Sequence, residues 1–221
     1  MKFLKVAGAV AALAFSFATA GAANAAVYNL TVDGSSGGLG GDGNYGTVTV
    51  VSAANGGLDF TVALDPGVTF HSNGGHTSFA FTLSGDTATT VNVTSLSSGF
   101  VVLTSGLTSG AMTPGAYPDP SIGTFEYGLD CPLCTGQGPY QSSLHFIVTA
   151  ANSSALSLVP VGTSNSLGAA NLRITSSGLT GAVGFVGAAV PEASTWAMMI
   201  LGLGMVGVGL RMRRRNALAT A

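Results

Sequence analysis

The sequence predicts an all-β exported body: an antiparallel β-sandwich of jelly-roll or immunoglobulin-like shape. Three observations carry this. Short runs rich in Val, Thr and Phe alternate with clusters of Gly, Ser, Asn and Asp, the pattern of strands separated by turns. Within several runs the apolar residues recur at every second position, as strands with one buried face require. No stretch between residues 26 and 190 shows a sustained 3.6-residue repeat or charged pairs four apart, so a helical body is excluded.

Taken in order, the candidate strands are 27–33, 46–52, 58–64, 77–84, 89–95, 99–105, 143–150, 155–161, 170–176 and 180–187. Leu58, Phe60, Val62 and Leu64 alternate with Asp59, Thr61 and Ala63. Phe79, Phe81 and Leu83 alternate with Ser78, Ala80 and Thr82, and Leu144, Phe146 and Val148 oppose His145, which is expected to face solvent or a neighbouring loop. Ten short strands over about 165 residues suit a single sandwich core. A β-solenoid would need a repeat at fixed spacing, and none is present. Segment 106–142 reads as the longest stretch without a strand. It holds Pro114, Pro118, Pro120, Pro132 and Pro139, both cysteines and three of the five tyrosines. Long loops in compact domains tend to carry function.

Charge is unevenly placed along the 221 residues. Lys2 and Lys5 open the chain, Arg211, Arg213, Arg214 and Arg215 close it, and Arg173 alone lies between. Residues 26–190 hold eight acids and one arginine, a net −7. Such a body makes no basic footprint for nucleic acid and has little attraction for anionic lipid.

Both ends carry targeting features. Lys2 and Lys5 precede an apolar stretch from Val6 to about Ala18, and Ala23-Asn24-Ala25 forms an A-x-A site. This is a secretory signal peptide over 1–25, cleaved after Ala25, with Ala26 leaving room for a one-residue shift. Pro191 suits a first helical position and Glu192 the first turn. Ala193 to Met212 spans about 30 Å as a helix, the thickness of bilayer hydrocarbon. Trp196 would sit at the outer interface, and the arginines would stay on the cytoplasmic side, so the body faces outward. The expected divisions are thus 1–25 signal peptide, 26–190 ectodomain, 191–215 sorting signal with one transmembrane helix, and 216–221 cytoplasmic tail.

The tail resembles the PEP-CTERM sorting signal of Gram-negative bacteria, and within it the PEPxxWA subgroup. The matching residues are Val190-Pro191-Glu192, Trp196-Ala197-Met198, the Gly-rich apolar run, and Arg213-Arg214-Arg215 after Arg211. Ala193 stands where the motif has its second proline, a departure that bears on processing efficiency. The resemblance implies transit through the Sec translocon and an inner-membrane-tethered precursor. It implies processing near Pro-Glu by an exosortase, a membrane-embedded cysteine transpeptidase. Delivery to the cell surface or an exopolysaccharide-rich biofilm matrix would follow. The body is also similar to other PEP-CTERM ectodomains in its G-T-V-T-V and F-A-F-T-L strands, G-T-F-E-Y before C-x-x-C, and late T-G-A-V. That likeness assigns no catalytic residue.

Chemistry inside the body is sparse. Cys131-Pro132-Leu133-Cys134 lacks the following helix that redox pairs use, and reads as a disulfide pinning its loop in an oxidising compartment. His71 and His76 flank a Gly-rich turn and are weak metal candidates. Gly37-Gly38-Leu39-Gly40-Gly41-Asp42-Gly43-Asn44 matches one copy of a calcium nonapeptide pattern, with Asn44 at its apolar position, and reads as a flexible connection. Calcium remains a candidate ligand of Asp33, Asp42 and Asp119. Asp119, Glu126 and Asp130 are the one close acid group, without evidence of glycosidase geometry. There is no G-x-S-x-G elbow. No enzyme and no required cofactor are expected. The leading expectation is a structural or adhesive surface protein associated with exopolysaccharide. The alternative is a carbohydrate-binding module using loop 111–141 with Tyr117, Tyr127 and Tyr140. A remoter one is a metal-dependent hydrolase.

Overall fold

The computed structural model describes residues 25–34, 39–40, 43–72, 77–84, 90–104, 106–119, 122–136, 140–150, 155–162, 164–187, 199 and 202–203. The expected signal segment up to Asn24, with Ala23, lies outside these residues, as do Asp42, His76 and nearly all of the C-terminal sorting segment.

Among the described residues the body is all-β and antiparallel. Its strands are β1 (Ala25–Asp33), β2 (Gly46–Ser52), β3 (Leu58–Leu64), β4 (Val68–Phe70), β5 (Phe79–Phe81), β6 (Leu83–Ser84), β7 (Val91–Thr94) and β8 (Val101–Val102). They continue with β9 (Gly110–Met112), β10 (Tyr117–Asp119), β11 (Gly123–Phe125), β12 (Tyr127–Asp130), β13 (Ser143–Ala150), β14 (Ser157–Leu158), β15 (Gly168–Ile174) and β16 (Thr180–Val186). One twelve-stranded sheet runs β8-β12-β5-β15-β16-β1-β2-β3-β13-β7-β9, with β4 also on β15. Two short ladders, β10-β11 and β14-β6, complete the set.

Why this sheet rolls up follows from its aromatic residues. Phe60 of β3 stacks on Phe146 of the adjacent β13, centroids 4.6 Å apart. It also lies 5.2 Å from Phe81 of β5, which stands five places away along the sheet. Phe79 stacks on Phe185 of β16 at 5.8 Å. These contacts require the sheet to curl until its halves face each other, giving the two layers of a sandwich from a single near-barrel sheet. Burying Phe rings inside a water-free layer is the main stabilising term, about 25 cal/mol per Å² of apolar surface. The period-two pattern is realised as expected: Leu58, Phe60 and Val62 are buried, and Leu144, Phe146 and Val148 likewise.

A second, smaller layer lies on the outside. Ala80, Ala169 and Ala182 cluster with Ile122 and Phe125. They alternate with the inward Phe79, Phe81, Ala170 and Val183. Small residues thus pave the outer face of β5, β15 and β16, and the β10-β11 hairpin covers that floor. A Cβ on Gly184 would come 2.5 Å from Ser166 Oγ and 3.2 Å from Ile122 Cγ2.

This hairpin corrects the strandless reading of 106–142: the segment contains β9, β10, β11 and β12. The runs are three or four residues long and carry Pro118, Gly123 and Gly128, so local propensity is weak, and their pairing partners make them strands. Elsewhere, β4 follows the Asp65-Pro66-Gly67 turn and was too short to register. The expected strands 99–105 and 155–161 shrink to β8 and β14.

Candidate functional site

The side chains of most chemical interest meet beside β15. Both β4 and β5 pair with the same edge of β15, β4 with Leu172–Ile174 and β5 with Gly168–Ala170. Between them Asn171 donates its N–H to the Ser78 carbonyl at 3.1 Å and accepts the His71 N–H at 2.8 Å. Residues 71–78 are therefore an excursion from one continuous strand line, closed at its base by a single residue. The disulfide turn packs against this base. Cys131 N–H donates to Ser78 Oγ at 2.9 Å, and Ser72 N–H donates to the Cys134 carbonyl at 3.1 Å. Ser78 Oγ also lies 3.0 Å from Asp130 Oδ1 and 3.2 Å from the His71 carbonyl, to one of which it donates. Cys131 and Cys134 are bonded to each other and fully buried, with Cα atoms 5.3 Å apart.

Arg173 completes the cluster. Its guanidinium lies over the Tyr140 ring, 5.1 Å from the centroid, and Nη1 donates to the Gly136 carbonyl. The Tyr140 hydroxyl donates to the same carbonyl. Among the described residues no carboxylate pairs with Arg173, and its Nε and His71 Nδ1 are buried without a hydrogen-bond partner. His71 is held below the usual imidazole range chiefly by burial. A hydrogen bond involving the Cys134 backbone opposes this, and the Arg173 charge adds to it. Leu133 and Leu179, 60% and 42% exposed, flank this surface on the disulfide turn and the β15-β16 turn. The site thus offers one cation, one aromatic ring and two apolar side chains, a combination suited to recognition of a flat, anionic or hydroxylated ligand.

The structure separates the three tyrosines. Tyr140 lies in the cluster. Tyr127 is 3% exposed and stacks on Phe81, so its ring belongs to the core and offers no platform to a sugar. Tyr117 is half-buried beneath the hairpin, where burial raises its hydroxyl pKa. The acids part similarly. Asp119 is buried, Glu126 is exposed, and Asp130 faces Ser78. Asp33 accepts the Leu39 N–H at 3.2 Å. His145 bonds Asp59 Oδ1 at 2.8 Å on the solvent face of β13. Among the described residues no group of three or more His, Cys, Asp or Glu is arranged to hold a metal. His76, the second metal candidate, lies outside them. Arg173 had no expected role; its signal was being the sole cation in an acidic body.

The second functional element is the tail. Residues 189–215 match the family model described as PEP-CTERM protein-sorting motif. The chain therefore carries this sorting motif, and the match supports an exported protein, membrane-anchored as a precursor and processed by an exosortase. No curated protein and no solved structure matches the chain. Met199, Gly202 and Leu203 are helical; among the described residues no helix is long and apolar enough to cross a membrane. The rest of the expected 193–212 span, and Val190, Pro191, Glu192, Trp196, Ala197, Arg211, Arg213, Arg214 and Arg215, lie outside them.

Proposed function

We propose that the chain is a non-catalytic cell-surface or matrix protein with a structural or adhesive role among exopolysaccharide. It is exported through the Sec translocon and released from its anchor by an exosortase. The match over residues 189–215 carries this reading, together with the signal-peptide pattern ahead of the body. Low charge and Gly/Ser/Thr richness support a passive matrix role. The test is the intact mass of the protein from cells with and without the sorting enzyme. The expected mature mass lacks the first 25 residues and the segment beyond Pro191-Glu192, and the enzyme-deficient strain retains that segment. Retention in both strains would overturn the reading.

A second reading is favoured by Arg173 lying over Tyr140 with no carboxylate partner among the described residues. It takes the cluster as a contact for acidic polysaccharide. Tyr140→Ala and Arg173→Ala are expected to lose exopolysaccharide pull-down while the thermal midpoint changes little. Unchanged pull-down returns the protein to the passive matrix role.

A further inference from the structure

The first and last strands of the body are neighbours. β1 and β16 pair antiparallel, Asn29 with Val186 and Leu30 with Phe185. In such a pair the start of one strand and the finish of the other lie at the same end. The apolar stretch Val6–Ala18 leads into that end, and the apolar run Trp196–Leu210 leaves from it. Had these strands been parallel, one terminus would have left from the far end, roughly 25 Å away along seven or eight residues.

The exit is also short. β16 finishes partway along β1, and Gly187 runs so close to Tyr28 that a Cβ there would meet its ring at 2.1 Å. Four residues, Gly187 to Val190, separate β16 from Pro191. Fully extended, they keep Pro191 within roughly 17 Å of Val186. A motif held at the bilayer therefore holds this end of the body close to the lipid.

The surface fits that placement. Beside the start of β1 lies the 53–57 turn, Ala-Ala-Asn-Gly-Gly, which carries no charge; Ala25 pairs with Val51, one residue short of it. Asp33 and Asp130 end β1 and β12 and Asp65 follows β3, all at the opposite end. Near the exit Asp59 is bonded to His145 and Glu126 is exposed, while Asp86, which follows β6, lies outside the described residues.

We infer that the precursor stands on the bilayer by the end where β1 starts and β16 finishes, with the 53–57 turn toward the lipid. The Arg173–Tyr140 cluster is then displayed outward. This rests on the export reading above.

The experiment uses full-length precursor in spheroplasts of a strain lacking the sorting enzyme, probed with a bulky polymer maleimide. Ala54→Cys marks the lipid end and Ser176→Cys the far end; both positions are exposed, and the native cysteines are bonded to each other. Ser176→Cys is expected to label several-fold faster than Ala54→Cys in the precursor, and both equally in the released mature protein. A long Gly/Ser spacer after Gly187 is expected to abolish the difference. Equal labelling in the unspaced precursor, or a difference that survives the spacer, overturns the inference while leaving export intact. No labelling at either position sinks the export reading itself.

Discussion

Gly168 is placed where a single methyl group cannot fit. Its Cβ would lie 2.4 Å from Phe185 Cε1 and 2.6 Å from the Ala80 carbonyl oxygen. The second contact is backbone and cannot rotate away. Gly168→Ala is expected to cost about 1–3 kcal/mol by overpacking, read as a lower denaturation midpoint; an unchanged midpoint would show that the strands separate freely here. His71 makes a different prediction. Its folded pKa is depressed, so the folded state holds its proton less tightly than the unfolded chain. The His71 contribution is complete above the unfolded value of about 6.5 and is lost as pH falls toward the folded pKa. Melting temperature should fall as pH drops below about 6.5, and fall less in His71→Gln. Identical slopes would remove His71 as a cause. By contrast, the exposed His145–Asp59 pair is worth at most about 1 kcal/mol.

At the scale of elements, the β10-β11 hairpin is the clearest case of a segment defined by what it covers. Phe125 is fully buried against Ala80, Ala169 and Ala182. Phe125→Ala should cost about 3 kcal/mol or more and expose 113–126 to protease, while the phenylalanine core stays folded. Global unfolding would mean that the hairpin is integral to that core. The disulfide turn differs because its ring is short. Closing a loop of four residues removes about 2 kcal/mol of unfolded-chain entropy, so Cys131→Ser with Cys134→Ser should lower stability by no more than that. A larger loss would show that the base of the 71–78 excursion depends on the bond. The disulfide itself was legible in the sequence, but the hairpin and the contacts of the turn were not. Three-residue strands with Pro118 or Gly123 have no local preference, and Ser78 gains its role only when Cys131 and Asp130 are brought to it.

On the scale of the whole molecule, the pairing of β1 with β16 joins the first and last strands of the body, and on the inference drawn above it gives the body a lipid end and an outward end. The strand order follows from no local pattern. β5 and β3 meet through Phe81 and Phe60 because the sheet closes on its aromatic face, a collective property of many strands. The three tyrosines show the same limit. They share one segment of sequence, yet Tyr127 stacks on Phe81 in the core, Tyr117 packs on the outer cluster with Phe125, and Tyr140 meets Arg173, since each finds partners far away in sequence.

By itself the sequence determined the all-β class, the buried faces of β3 and β13, and the sorting motif at 189–215. These depend on period-two burial and on short contiguous patterns that any chain segment carries locally. Tertiary structure alone decided that a single sheet rolls into two layers, that 106–142 holds four short strands, and that the body's one arginine lies over Tyr140. Those outcomes turn on contacts between residues far apart in sequence, whose energies exist only once the strands have chosen their neighbours.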